Sequence, residues 1–208
     1  MSSASFPKVT LTYFDIPISK TIGLGEHVKL LLEDANIDHE YIKVLQADWP
    51  AKKESLIKEG YLFGTLPMLE IEGKRIGKTV PIMRYISQRL GKYLGSNQYE
   101  NQYLDALADT ATDWGTSWGQ ARFRGTEEQK KEHQDQTTPK YLGIFEKAYA
   151  EREGPYILGQ EISYVDFLFY HRVEDEEVDY KAYPHIAAFV KAFTERPNLK
   201  NHLASVKV

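Results

Sequence analysis

Pairs of functional side chains recur four residues apart along this sequence. Trp49 and Lys53 form one pair, and Asp109 and Asp113 form another. Residues at i and i+4 share one face of a helix, so a helix at either place would present both members of the pair in the same direction. A solvated helix face is the simpler interpretation of each pair, and both interpretations stay open here.

Two tryptophans, Trp114 and Trp118, repeat this spacing directly after Asp113. They could line a pocket for an apolar molecule. Two large aromatic side chains on one helix also suit a protein core. The spacing does not decide between these alternatives.

The composition excludes several classes of site. The sequence of 208 residues contains no cysteine, so disulfides, thiolate metal sites and a cysteine nucleophile are excluded. Its six histidines show no metal-ligand spacing, and no glycine-rich phosphate loop is present. A net charge of -4 gives no reason to expect nucleic acid as a partner.

The start of the sequence and its apolar runs bear on location. The first residues lack a basic segment followed by an apolar core, so no secretory signal is expected. The longest apolar runs fall far short of the roughly 20 residues of a membrane span. We therefore expect a cytoplasmic protein that is not associated with a membrane.

Strand and helix patterns alternate over the first ninety residues. Strands are predicted at Val9–Phe14 and His39–Val44, followed by a hairpin of 67–71 and 74–77 with Glu72 and Gly73 in its turn. Helices are predicted from Glu26, over 48–59, and after Thr79, which we expect to cap the third helix. The predicted order is βαβαββα.

The strand patterns stop after Gly91. Helical stripes follow, such as Leu104, Leu107, Ala108 and Ala111. The change predicts an α/β domain over 1–91, a linker at 92–97 and an all-helical domain over 98–208.

Four local motifs carry a resemblance to a known family. They are Leu11–Phe14, Gln46–Pro50, Gly64–Glu70, and Gly159 with Ser163–Asp166. Their order resembles that of cytosolic glutathione transferases of the tyrosine type, and Gln46–Pro50 is similar to the sigma class. The resemblance implies a thioredoxin-like domain followed by a helical bundle. It also implies a homodimeric detoxification enzyme that joins glutathione, as co-substrate and without a cofactor, to a small apolar electrophile.

The resemblance implies that Tyr13 is the catalytic residue. A free thiol has a pKa of roughly 8.5 and is mostly protonated at neutral pH. A hydroxyl that donates a hydrogen bond to the sulfur favours the thiolate and lowers that pKa. The loop Asp15–Gly25 is longer than in the family and lacks its usual arginine, so Ser19 or Thr21 is an alternative donor.

The family's other site positions fall on identifiable residues. By resemblance, Lys53 and Trp49 bind the glycine end of glutathione, with Lys52 as an alternative to Lys53. A cis Leu66–Pro67 bond would present the Leu66 backbone to the cysteinyl part. Asp113 would reach the partner's glutathione across a dimer. The glutathione-binding residues implied are Trp49, Lys53, Thr65, Leu66, Pro67, Lys78, Thr79 and Asp113, and the hydrophobic pocket residues are Phe14, Ile16, Trp114 and Trp118.

Ser163 and Asp166 form a capping-box pattern at the start of a predicted helix, and we assign them to folding rather than chemistry. Two other functions stay open. One is a glutathione-dependent isomerase, because some sigma-class proteins isomerise prostaglandins. The other is a binding or scaffold protein without turnover, since Lys78 stands where the family usually has Gln or Glu.

Overall fold

The computed structural model describes residues 6–16 and 23–206, apart from the side chain of Val206. Ser19 and Thr21, the alternative hydroxyl donors, lie outside these ranges. The chain divides into two compact units. The residues up to Gly91 and those from Arg196 onward form the first, and Lys92–Glu195 forms the second. Within the described ranges, no helix has the length and apolar character needed to cross a membrane.

A four-stranded sheet forms the centre of the first unit, with the strand order β2-β1-β3-β4. The strands are β1 Val9–Phe14, β2 His39–Val44, β3 Met68–Ile71 and β4 Lys74–Gly77. β1 pairs in parallel with β2 and antiparallel with β3, and β3 pairs antiparallel with β4. The strands and the hairpin predicted from the sequence are therefore confirmed, and β1 is paired along both edges.

Three helices complete the βαβαββα order, which confirms the predicted fold class of this unit. They are α1 Leu24–Asp34, α2 Trp49–Lys58 and α3 Thr79–Leu90. α1 supplies the crossover that a parallel pair of strands requires. It begins at Leu24, two residues before the predicted start at Glu26, because the stripe of buried leucines does not reveal where the first turn begins.

The start of α3 corrects one prediction. Lys78, not Thr79, occupies the N-cap position, and Thr79 is already the first helical residue. The Lys78 backbone has a φ of 72°, a conformation that L-residues other than glycine rarely adopt. The sequence favoured Thr79 as the cap because threonine prefers that position and lysine does not.

The second unit is entirely helical over its regular elements, as predicted. Its helices are α4 Gln98–Arg124, α5 Glu127–Glu132, α6 Thr138–Ala150, α7 Tyr164–Asp175 and α8 Pro184–Thr194, with a π-helical turn at His133–Thr137. They enclose an aromatic core. Phe145 stacks on Phe169 with their ring centres 4.3 Å apart, and Tyr149 stacks on Phe189 at 4.6 Å.

The capping box at the start of α7 is confirmed. The Ser163 amide and hydroxyl each donate to Asp166 Oδ2 at 2.7 Å. The Tyr149 hydroxyl and the Ile157 amide donate to Asp166 Oδ1 at 3.0 and 3.2 Å. Complete burial raises the pKa of Asp166 to about 6, although these hydrogen bonds oppose the shift. Asp166 therefore joins the helix start to two other segments of the core.

The last helix, α9 Lys200–Val206, groups with the first unit. Arg196 donates two hydrogen bonds to the Asp34 carboxylate, at 2.6 and 2.7 Å, and the Asn198 side chain donates to the Asp34 carbonyl at 2.8 Å. The sequence prediction assigned this segment to the helical domain over 98–208. Helical periodicity shows that a segment is a helix, but it does not reveal a partner more than 160 residues away.

Candidate active site

The Tyr13 side chain lies at the end of β1 and is held by two glycines. A methyl group on Gly25 would lie 2.8 Å from Cβ and Cγ of Tyr13. One on Gly23 would lie 3.3 Å from the tyrosine hydroxyl. The absence of side chains at these glycines lets the first turn of α1 approach the ring closely. The Tyr13 hydroxyl is thus placed beside the N-terminal end of α1, where the helix dipole favours negative charge.

Phe14 and Ile16, two of the predicted pocket residues, lie beside the Tyr13 side chain. The rings of Tyr13 and Phe14 meet edge to face with their centres 5.4 Å apart. Ile16 packs so closely that a methyl group on Gly23 would lie 2.7 Å from its Cδ1. The Tyr13 environment therefore combines one hydroxyl with half-buried apolar side chains.

Trp49 and Lys53 lie on α2, as their spacing predicted. The Trp49 ring meets Phe14 edge to face, with centres 5.4 Å apart. It also packs, together with Leu66, against a small cluster of buried side chains. Lys53 Cε would lie 3.1 Å from a methyl group on Gly64, so the lysine stem runs beside the loop that leads to Leu66.

The Leu66–Pro67 peptide bond is cis, as predicted. Within the described residues, the Leu66 backbone N–H and C=O make no hydrogen bond. The Thr65 hydroxyl is buried and likewise has no partner in the described part of the chain. This segment thus offers one donor, one acceptor and one hydroxyl to an extended ligand.

Tyr61 positions this segment, and the sequence analysis missed it. Its ring is buried, and its hydroxyl donates to the Thr65 carbonyl at 2.9 Å. A side chain at Gly77, at the end of β4, would collide with that hydroxyl. Burial raises the pKa of Tyr61, so it stays protonated and able to donate. The sequence pattern that could have identified Tyr61 is an aromatic residue between Gly60 and Gly64, shortly before Pro67 and β3.

Lys78 and Thr79 lie where β4 ends and α3 begins. Lys78 is exposed, and Thr79 is half-buried. No side chain caps the first turn of α3 among the described residues, which leaves its amides available to an anion. Thr79 is therefore the first residue of a helix whose N-terminus has no side-chain cap, instead of being the cap itself.

The remaining predicted residues, Asp113, Trp114 and Trp118, lie on α4 in the second unit and differ in exposure. Asp113 is exposed, and its charge contributes, after burial, to the raised pKa of Tyr141. Trp114 is completely buried and stacks on Tyr141 with ring centres 5.7 Å apart. The structure therefore places Trp114 in the core, the alternative that the sequence left open.

Trp118 is half-buried and differs from Trp114 in its surroundings. The Arg172 guanidinium lies over its ring, 5.5 Å from the centre. Phe123, whose side chain is 70% exposed, meets it edge to face. Of the two tryptophans, only Trp118 has part of its surface available to a ligand.

The fold and the Tyr13 environment together define a class: a thioredoxin-like domain joined to a helical domain. The sequence profile of the glutathione S-transferase C-terminal domain matches residues 109–206. Glutathione S-transferase P 10 of Caenorhabditis elegans is 29% identical over 89% of this chain and 88% of its own length. Glutathione S-transferase 1 of Ascaris suum is 28% identical over 95% and 96%, respectively.

A solved structure agrees with these relatives. The Pi-class glutathione S-transferase of Onchocerca volvulus superposes with a TM-score of 0.84 and 25% identity, covering 95% of this chain and 92% of that one. The chain is thus similar to glutathione S-transferases over nearly its whole length.

Proposed function

We propose that this protein is a glutathione transferase in which Tyr13 activates the thiol of glutathione. The observation that carries the proposal is the Tyr13 hydroxyl, held by Gly23 and Gly25 beside the first turn of α1. A hydrogen bond donated by this hydroxyl stabilises the thiolate, and the helix dipole acts in the same direction. Similarity to glutathione S-transferases supports the same activity.

Glutathione binds along the segment that leads into β3. The free N–H and C=O of Leu66 pair with the cysteinyl part of the ligand, in the manner of an added strand. The buried Thr65 hydroxyl lies next to them. Lys53 and Trp49 bind the glycine end, and the open first turn of α3, with Lys78 and Thr79, binds the γ-glutamyl carboxylate.

The reaction is a nucleophilic addition or substitution by sulfur. The thiol proton leaves to solvent, and the thiolate sulfur forms a bond with an electrophilic carbon. In a substitution, the electrophile's leaving group departs with its electron pair. In an addition, the electrophile takes up a proton. Neither course needs a redox partner, so glutathione is a co-substrate and no cofactor takes part.

The electrophile is a small apolar molecule, and detoxification in the cytoplasm is the proposed role. Phe14 and Ile16 supply apolar surface beside Tyr13. Trp114 has no part in this role because it is completely buried. Burial of the electrophile's apolar surface against such side chains contributes about 25 cal/mol per Å².

We also propose a homodimer, with Asp113 acting on the partner's glutathione. Leu62 and Phe63 follow one another in the loop after α2 and are 84% and 52% exposed. Adjacent exposed apolar side chains of this size are typical of an association surface. Sedimentation analysis of the wild type and of Leu62→Ser/Phe63→Ser tests this. We expect a dimer that the double change converts to a monomer, and a monomeric wild type would contradict the proposal.

The deciding experiment is a pH titration of thiolate absorbance for bound glutathione. In the wild type, the thiol should titrate at least one pH unit below the free value, and each unit corresponds to about 1.4 kcal/mol. Tyr13→Phe should abolish the shift. Tyr99→Phe, a change at an exposed tyrosine of the helical unit, is the matched control and should leave it intact.

Two other outcomes have distinct meanings. A lowered pKa in both the wild type and Tyr13→Phe would move the role to Ser19 or Thr21. Binding of glutathione without any lowering in the wild type would reject the transferase mechanism in favour of a binding protein.

A further inference from the structure

A buried hydrogen bond between two side chains joins the last helix to the first. Glu26, in the first turn of α1, is only 3% exposed, and its Oε1 lies 2.6 Å from Nε2 of His202 on α9. The His202 side chain is itself 7% exposed. The other carboxylate oxygen of Glu26 is buried and has no hydrogen-bond partner in the described ranges. His202 is therefore the side chain of α9 that holds the buried Glu26 carboxylate.

Further charged groups of α1 and β2 face this pair. His202 Nδ1 lies 3.9 Å from Glu33 Oε1, and Glu33 also accepts a hydrogen bond from Lys29 at 2.6 Å. His39 of β2 lies 3.1 Å from Lys29 Nζ. Although burial opposes the shift, Lys29, His39 and His202 lower the pKa of Glu33. Glu33 thus stays ionised close to His202.

The same turn of α1 holds Tyr13. The Glu26 amide donates to the Gly23 carbonyl at 2.9 Å, which closes the turn over Gly23 and Gly25. Both glycines lie against the Tyr13 ring. The Glu26 backbone is therefore bonded to the same turn that contacts Tyr13.

Tyr41 of β2 lies close enough to Glu26 and Tyr13 for both to affect its pKa. Its hydroxyl is buried and has no hydrogen bond to the described residues. Burial first, and then the charges of Glu26, Tyr13 and Asp15, raises its pKa.

We infer that Glu26 and His202 are positioning residues for thiol activation, through which the last helix holds the Tyr13 hydroxyl in its working place. This inference rests on the proposed function, since it concerns the same thiol. The pair touches neither the thiol nor the electrophile. It fixes the first turn of α1.

The test compares the thiol pKa of bound glutathione in the wild type and in His202→Gln. We expect the variant to raise this pKa by about 0.5–1 pH unit, which is about a three- to tenfold loss of thiolate at neutral pH. kcat should fall accordingly, while the KM for glutathione should change less than twofold, because the Leu66 segment is untouched. Glu26→Gln should give the same shift, and the double variant should add nothing to either single change.

Arg196→Lys is the matched control. It weakens the contact of the same C-terminal segment with the other end of α1, at Asp34, without touching Glu26. We expect its thiol pKa to equal that of the wild type. An equal shift in Arg196→Lys would mean that docking of the segment alone matters, and it would overturn the inference.

Circular dichroism establishes that each variant is folded. If His202→Gln does not fold, Glu26→Gln, which keeps a hydrogen-bond acceptor, carries the test. A lowered thiol pKa that is unchanged in the folded variants would overturn this inference and leave the proposed function standing. A wild-type thiol that titrates at the free value would overturn both.

Discussion

Gly115 on α4 lies directly against Arg172 on α7. A methyl group on Gly115 would lie 2.8 Å from Nη1 of Arg172 and 3.3 Å from its Cδ and Cζ. Arg172 is 5% exposed, donates to Asp175 at 2.8 Å and lies over the Trp118 ring. The glycine thus leaves the space that a buried guanidinium needs.

We predict that Gly115→Ala destabilises the protein by about 1–3 kcal/mol, because the added methyl group forces the Arg172 side chain to move. The indole emission of Trp118 should shift with it. Chemical denaturation and fluorescence measure both effects. Gly119→Ala on the same helix is the control, since a methyl group there would have no neighbour within 4 Å. It should instead stabilise by about 0.5–1 kcal/mol; a loss of stability at both positions would contradict this reasoning.

Asp166 should give the helical unit a distinctive pH dependence. Its pKa in the folded state, about 6, lies above the ordinary value of 3.8. The folded state therefore binds more protons than the unfolded state between these two pH values. The contribution of protonated Asp166 is fully present below about pH 4 and is lost as the pH rises through 6.

The measurable consequence is a difference between the wild type and Asp166→Asn. We expect the free energy of unfolding of the wild type, relative to that of the variant, to rise by about 1–3 kcal/mol between pH 7 and pH 4. Urea denaturation at several pH values measures it. Asp109→Asn, at an exposed position of α4, is the matched control. A flat curve for Asp166→Asn would refute the raised pKa.

The Thr65 hydroxyl should matter for the ligand and not for the fold. It is buried without a partner in the described part of the structure, so Thr65→Val should leave stability unchanged or raise it slightly. Glutathione binding should weaken about fivefold to tenfold, as for the loss of one hydrogen bond of about 1 kcal/mol. Calorimetric titration and thermal unfolding separate the two effects. Unchanged affinity would remove Thr65 from the site.

Lys78 should carry a measurable backbone cost. A residue with a side chain at a φ of 72° is less favourable than glycine by about 1 kcal/mol. Lys78→Gly should therefore be about 1 kcal/mol more stable than Lys78→Ala, although both lose the same charge and should bind glutathione equally weakly. Denaturation curves of the two variants test this, and equal stability would contradict it.

The sequence was most informative where one local pattern decides the structure. The β-branched and aromatic run Val9–Phe14 and the turn at Glu72 and Gly73 predicted strands that the structure contains. The capping box at Ser163 and Asp166 was equally clear, because both partners lie within one turn. In each case, the residues that specify the feature are close in sequence.

The sequence predictions failed where residues far apart in the sequence decide the structure. Lys78 is the N-cap because the hairpin and α3 fix its backbone, against the preference of lysine itself. The partner of Arg196, Asp34, lies at the end of a helix far away in the sequence. The burial of Trp114 and the partial exposure of Trp118 depend on their neighbours, Tyr141 and Arg172. The four-residue spacing of the tryptophans does not reveal these neighbours.

The return of Arg196 to Asp34 has a consequence for the order of events during synthesis on the ribosome. The strands and helices up to Gly91 emerge first, but the buried carboxylate of Asp34 lacks its guanidinium until Arg196 has emerged. At about 5–20 residues per second, that delay is roughly 5–20 s. The nascent N-terminal unit therefore waits, without the segment that binds Asp34 at the end of α1, while the whole helical unit is made.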